Sequence, residues 1–243
     1  VFTDSIKVDD RVLRTVVSHL ESINLNKTDL DVKGVAFEQF MDGFFKGDFG
    51  QYFTPRPIIE FAVKMMKPEH DWDVLDPACG SGGFLLHALD YMRSRASEYY
   101  DKDTVDYFNY WHDFASKHLY GIEINDEIAR VAKMNMIVHD DGHTNVISFD
   151  ALDSIDKMHD HNRGFEAGKF DLILTNPPFG STITKAEKPY LANYELGKTK
   201  DAKGKYKDRP RQSSEILFIE RIWEFLKPGT GKAAIVLPDG VLT

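Results

Sequence analysis

The stretch Asp73-Val-Leu-Asp-Pro-Ala-Cys-Gly-Ser-Gly-Gly-Phe-Leu-Leu86 decides how this chain is read. Val74 and Leu75 make a short apolar strand, Gly80, Gly82 and Gly83 a turn, and Phe84-Leu85-Leu86 the start of a helix. Glycines in that turn let the backbone press against a ligand, because no Cβ blocks the approach. The spacing departs from the dinucleotide fingerprint G-x-G-x-x-G, since Leu85 stands where the third glycine belongs. Asp76, placed before the turn, would repel a pyrophosphate at the helix N-terminus and suits instead a cationic ligand with an amino-acid end.

On both sides of this unit the pattern repeats. Short apolar runs at 74–75, 119–124, 146–147, 170–175 and 233–237 alternate with amphipathic segments at 83–95, 127–138 and 215–226. Such alternation predicts an α/β fold with a parallel, doubly wound, Rossmann-like sheet, which binds ligands beyond the carboxyl ends of its strands. The interval 91–118 exceeds one crossover helix and is expected to hold a second. Upstream, apolar residues at helical spacing over 4–20 and 34–45 predict a mainly helical segment, 1–48, ahead of a larger domain, 49–243. A further helix is expected over 55–66, with Thr54 as its N-cap and Pro55 as its first residue.

The 243 residues, 42% hydrophobic and 28% charged, have globular composition, which excludes a collagen-like or wholly disordered chain. A lone cysteine, Cys79, cannot form an internal disulfide, and no Cys/His spacing suggests a metal, so a reducing, cytoplasmic setting is expected. Cys79 lies inside the glycine turn and reads as a small buried residue rather than a nucleophile. The nine histidines show no metal-ligand spacing, and most are expected at the surface. No apolar run approaches the roughly 20 residues of a membrane span, and the start, VFTDSIKVDD, carries no secretory signal.

A net charge of −9 argues against nucleic-acid binding by the whole surface. The segment 181–213 stands apart, with nine basic residues against four acidic ones, a net of +5 that leaves −14 for the remainder. Poor in large apolar side chains, it is expected to be a flexible loop able to meet phosphates.

Two more acids fall at expected strand ends. Glu123, closing Tyr120-Gly-Ile-Glu, is placed to accept both hydroxyls of a ribose, and Asp150, closing Ser148-Phe-Asp, to accept an adenine amino proton.

D-P-A-C-G-S-G-G-F-L at 76–85, G-I-E at 121–123 and N-P-P-F at 176–179 together resemble the S-adenosylmethionine-dependent amino-methyltransferases that act on DNA adenine. F-G-Q-Y-F-T-P-R-P at 49–57 resembles the family's cofactor-carboxylate motif in its gamma arrangement, and the best match is to modification subunits of Type I restriction enzymes. The resemblance implies S-adenosylmethionine as cofactor, DNA as substrate, and a separate specificity subunit, with a restriction subunit, as partners. It places Gln51, Tyr52, Phe53, Thr54 and Pro55 at the methionyl end. Asp76, Ala78, Gly80, Ser81, Gly82, Gly83 and Phe84 would surround the cofactor, with Glu123 on the ribose, Asp150 on the adenine and Asn176 beside the methyl. Two departures stand out. The second motif follows the first at a longer interval than usual, and the family's two further strands after the run ending at Leu237 are missing, so the sheet is expected to be incomplete after its fifth strand.

Catalysis is assigned to Asn176, Pro177, Pro178 and Phe179. Two prolines after a strand form a rigid stop that fixes the Asn176 amide and the Pro177 carbonyl. Two acceptors aimed at the two protons of adenine N6 would favour a pyramidal nitrogen with its lone pair available, and Phe179 would stack on a base taken out of the duplex. Methylation of a glutamine amide or of RNA uses similar logic, and a cofactor-binding assembly subunit inactive alone is a third reading. Phe179, where glutamine-directed enzymes carry Tyr, and Thr54-Pro55 ahead of the glycine turn favour DNA adenine.

Overall fold

The computed structural model describes residues 8–21, 54–139, 145–201 and 203–241. Contacts divide the chain into two units, Val1–Gln51 and Tyr52–Thr243. In the first, helix α1 (Asp10–Leu20) is capped by Asp9, whose carboxylate accepts the Arg11 N–H. The helix expected over 34–45 lies outside the described residues.

In the second unit the strands are β1 (Val74–Asp76), β2 (Leu119–Glu123), β3 (Val146–Ser148), β4 (Leu172–Thr175), β5 (Thr182–Thr184), β6 (Lys198–Lys200), β7 (Tyr206–Asp208), β8 (Arg211–Ser213) and β9 (Lys232–Ile235). The helices are α2 (Arg56–Met66), α3 (Gly83–Tyr99), α4 (Val105–His118), α5 (Asp126–Val138), α6 (Ile155–His161) and α7 (Ser214–Phe225). Five strands form one parallel sheet in the order β3-β2-β1-β4-β9. All five expected runs are present in it, and the interval 91–118 does contain a second helix, α4, capped by the Thr104 hydroxyl. The short helix α6 was not foreseen.

Alternate strand residues face opposite layers, so both faces must be covered. Val74, Leu172 and Leu174 pack with Ile59 and Val63 of α2, Leu85, Leu89 and Met92 of α3, and Trp111 and Phe114 of α4. Leu75 and Ile173 point the other way, toward Phe165, Phe170, Met158 of α6, and Leu217 and Phe225 of α7. Truncating one of these side chains to Ala would cost about 2–5 kcal/mol.

Two expectations need correction. Pro55, not Thr54, is the N-cap of α2, and no side chain caps that end; Pro57 takes the second helical position, so the fixed φ of two prolines sets the start instead. Nor is 181–213 without apolar anchors. It folds as two antiparallel pairs, β5 with β8 and β6 with β7, around a 3₁₀ turn at Pro189–Asn193. Leu191 and Tyr194 are 0% and 2% exposed and join the second core layer. The Tyr194 hydroxyl donates to the Leu152 carbonyl at 2.7 Å, and Arg221 Nε donates to that hydroxyl at 2.9 Å.

Candidate active site

β1 has β2 on one side and β4 on the other, so the strand order reverses around it, and the crevice of such a sheet opens there. Asp76, the last residue of β1, is 1% exposed. Its Oδ1 accepts the Thr175 hydroxyl proton at 2.7 Å and the Ala78 N–H at 3.0 Å. Glu123, the last residue of β2, accepts the Gly80 N–H on Oε2 at 3.1 Å and the Asn125 N–H on Oε1 at 2.9 Å. One acid thus closes its own strand and also fastens the glycine turn of its neighbour. Burial pushes both carboxyls above the ordinary carboxylate range, Asp76 to about 7.

In the turn itself Gly80 and Gly82 adopt φ of +54° and +90°, a left-handed backbone that side-chain-bearing residues rarely take. A Cβ at Gly80 would meet nothing within 4 Å, so that side of the turn is open. Asn135 of α5 donates Nδ2 to the Ser81 carbonyl at 3.0 Å and holds the turn from behind. Cys79 is buried, and burial with Asp76 nearby pushes its thiol further up, as expected for an inert thiol.

Asp150, beyond β3, is engaged from the segment after the tetrapeptide. Its Oδ2 takes Lys188 Nζ at 2.9 Å and the Tyr190 hydroxyl at 2.8 Å, while Oδ1 accepts the Leu152 N–H at 3.0 Å. Burial and the adjacent Asp150 raise the Tyr190 phenol, which keeps it a proton donor to this carboxylate. Three of a carboxylate's roughly four acceptor positions are thereby used.

β4 runs into Asn176 and the two prolines. Asn176 Nδ2 donates to Thr54 Oγ1 at 2.9 Å, whereas Oδ1 is shielded from solvent and has no hydrogen-bond partner among the described residues. Ser214, the first residue of α7, donates its hydroxyl to the Pro178 carbonyl at 2.9 Å and so pins the turn. Phe179 is 42% exposed and so stands outside the core.

Two buried acids thus fasten a part-open glycine turn, and an orphan amide oxygen stands at the end of the adjoining strand. The profile of the family described as N-6 DNA Methylase matches residues 28–243. The chain belongs to the N-6 DNA methylase family. It is 30% identical over 211 residues to the Type I restriction enzyme EcoKI methylase subunit of Escherichia coli (strain K12), covering 81% of this chain and 33% of that protein. With the Type I restriction enzyme EcoEI methylase subunit of Escherichia coli it shares 30% identity over 240 residues, 95% of this chain and 41% of that one. Among solved structures, a chain from Vibrio vulnificus YJ016 described as a modification subunit of a type I restriction enzyme has a TM-score of 0.71 at 26% identity, covering 97% of this chain and 45% of its own. The chain therefore spans about a third to two-fifths of the length of these curated relatives.

In this member of the family the structure gathers Asp76, Ala78, Gly80, Ser81, Gly82 and Glu123 around one turn, and Thr54 beside Asn176. Gln51, Tyr52 and Phe53 lie outside the described residues. Of the residues expected at the cofactor, Phe84 is 3% exposed in the core, and a Cβ on Gly83 would come within 3.1 Å of Ile59 Cδ1, so this glycine also lets α2 and α3 approach. The sequence did not single out Thr175, Asn135, Ser214, Lys188 or Tyr190. Thr175 left a signal, a hydroxyl closing an otherwise apolar strand; the other four act only through contacts distant in sequence. Most histidines were expected at the surface; His139 is an exception, buried and bonding the Asn135 carbonyl through Nδ1 at 2.8 Å. Among the described residues no helix is long and apolar enough to cross a membrane.

Proposed function

We propose that this chain transfers a methyl group from S-adenosylmethionine to N6 of adenine in DNA, as part of a Type I modification subunit that works with a separate specificity subunit and a restriction subunit. The observation that carries the proposal is the Asn176 amide. A solvent-shielded oxygen with no partner is costly in a folded protein, and it calls for a donor that arrives with substrate.

The site also suits the cofactor. Asp76 and Glu123 are buried acids that form no ion pair among the described residues, and the turn between them is open at Gly80. Asp76 would face the cationic end, Glu123 the ribose hydroxyls, and the remaining acceptor position of Asp150 the adenine amino group. Thr54, with the neighbouring 51–53, would take the methionyl end. Bound there, S-adenosylmethionine supplies an electrophilic methyl group on a sulfonium. The chain's own residues prepare the acceptor. Asn176 Oδ1 and the Pro177 carbonyl accept the two protons of the exocyclic amine, which draws its lone pair out of conjugation with the ring, an interaction stronger in the transition state than in the ground state. Phe179 stacks on the extruded base. With bases read by a partner, an overall charge of −9 is no obstacle, and 181–213 can supply phosphate contacts.

The test is calorimetry with S-adenosylmethionine and its demethylated product, followed by methyl-transfer assays of the full-length protein with its specificity partner. Asn176→Ala should abolish adenine methylation while leaving cofactor affinity within about threefold of wild type, the mark of an interaction made in the transition state. Unchanged turnover would remove the role given to Asn176 and with it the proposal.

A further inference from the structure

An asparagine amide is an acceptor at one end and a donor at the other, and a half-turn about its last torsion exchanges them. If Nδ2 rather than Oδ1 pointed at the exocyclic amine, two donors would face each other and the amine protons would find no acceptor. Something must therefore choose the orientation. The Asn176 amide has one described partner, Thr54 Oγ1, 2.9 Å from Nδ2 and 122 positions earlier in the chain.

Among the described residues the Thr54 hydroxyl has no other hydrogen-bond partner. It does not cap α2, whose N-cap is Pro55, and no side-chain bond closes that helix start. Pro55 and Pro57 stiffen the chain immediately after it, so the position of the hydroxyl is set by backbone constraint. We propose that Thr54 is the positioning residue for Asn176: by accepting from Nδ2 it presents Oδ1 to the target amine, and it makes that presentation depend on cofactor occupancy. The inference rests on the methyl-transfer reading above.

The dependence on cofactor follows from the hydroxyl itself, which has one proton and two lone pairs. With the proton uncommitted, a threonine can serve either orientation of the amide by giving or accepting. Once the proton is taken by an acceptor on a ligand, the oxygen can only accept, and Nδ2 must donate. The carboxylate of an amino-acid-like ligand is such an acceptor, and it is repelled by the acids at the other strand ends, Asp76, Glu123 and Asp150, but not by a neutral hydroxyl. Cofactor bound at Thr54 thus fixes the rotor, and the rotor fixes the amide before a base arrives.

The experiment compares Thr54→Val, Thr54→Ser and Asn176→Ala in the full-length protein assembled with its specificity partner. Three quantities are read: cofactor dissociation constant by calorimetry, single-turnover methylation at saturating cofactor, and fluorescence of 2-aminopurine at the target position with S-adenosylhomocysteine bound. Thr54→Val should slow the single-turnover rate by up to roughly 100-fold at saturating cofactor, the scale of a misplaced reacting group. It should also abolish the cofactor-induced part of the 2-aminopurine signal, and Thr54→Ser should restore both to within about threefold. A Thr54→Val enzyme that is impaired only in cofactor affinity, with normal rate and fluorescence once saturated, overturns the proposal. Should Asn176→Ala also be fully active, it is the methyl-transfer reading that fails; an inactive Asn176→Ala beside a normal Thr54→Val defeats the Thr54 inference alone.

Discussion

Thr175 donates its hydroxyl to Asp76 Oδ1 at 2.7 Å, tying the end of β4 to the end of β1 where the strand order reverses. Because burial pushes Asp76 up to about 7, and only its ionised form attracts a cation, proton and cofactor would compete for it at the proposed site.

Cofactor affinity should therefore rise with pH, by up to about tenfold per unit on approaching pH 7, and level off above it. Calorimetry in buffers of contrasting ionisation enthalpy should record a proton released on binding below pH 7 and none well above. Thr175→Val removes the hydrogen bond that holds the pKa down and should move the rise to higher pH. An affinity flat between about pH 5.5 and 8.5 would refute the assignment of Asp76 to the cationic end.

The same carboxyl affects stability, with the opposite preference. Its folded pKa of about 7 lies above the ordinary 3.8, so between these values the folded state retains a proton that the unfolded state has lost. The stabilisation is complete below about pH 4 and vanishes as pH rises through 7. Asp76→Asn keeps an oxygen for Thr175 and Ala78 and removes the charge. It should raise the melting temperature at pH 8 by several degrees while abolishing cofactor binding, an instance of function held at the expense of stability.

At Glu123 a conservative change should be no gentler than a drastic one. Both carboxylate oxygens accept backbone N–H groups, from Gly80 and Asn125, so Glu123→Gln must turn a donor toward one of them. Glu123→Gln and Glu123→Ala should each weaken cofactor binding roughly 10- to 100-fold, the equivalent of about 1.5–3 kcal/mol. A Gln variant with wild-type affinity would show that the ribose is not held here.

Asp150→Ala should have two effects at once. Loss of the carboxylate would remove the proposed adenine acceptor, about tenfold in affinity, and release Lys188 and Tyr190, which fasten the segment after Phe179. Tryptic cleavage after Lys198, Lys200, Lys203 and Lys205 should accelerate in parallel. Weakened binding with unchanged cleavage would mean that Leu191 and Tyr194 anchor the segment without help.

Lys200, Lys203, Lys205 and Lys207 are exposed, whereas Lys185, Lys188 and Lys198 are paired with Asp208, Asp150 and Glu195. Replacing the four exposed lysines with Ala in the assembled complex should weaken DNA binding for every sequence and flatten its salt dependence, through counterions no longer released. Cofactor affinity and the choice of adenine should not change. A wild-type salt slope would assign the phosphate contacts to a partner.

How legible this was in the sequence differed from element to element. The strands of the main sheet announced themselves because a sheet covered on both faces needs unbroken apolar runs such as Leu172–Thr175. The glycine turn was equally plain, since few residues other than glycine tolerate the backbone of Gly80 and Gly82. Thr54 misled, because a threonine before a helix is a good cap by local propensity, yet a proline on either side of Arg56 had already set the helix start and a distant amide claimed the hydroxyl. In 181–213 the abundance of lysine obscured Leu191 and Tyr194, which join a core layer built by residues distant in sequence, Tyr194 through its bonds with Leu152 and Arg221. Contacts that span many tens of residues leave no local period to detect.

The central pair of strands has a consequence for how the protein comes into being. Val74 lies opposite Leu172 in the β1–β4 register, ninety-eight positions further along. Pairing across such a distance is slow to form, because a long loop must close before any contact rewards it. During synthesis the glycine turn leaves the ribosome well before Thr175 and Asn176, and at about 5–20 residues per second the interval lasts many seconds. Throughout it β1 has one face of hydrogen-bonding groups open where β4 will dock, and Asp76 lacks its hydroxyl partner. The nascent chain is then open to mispairing, and the proposed cofactor site is completed only when β4 and the Asn176 that follows it arrive.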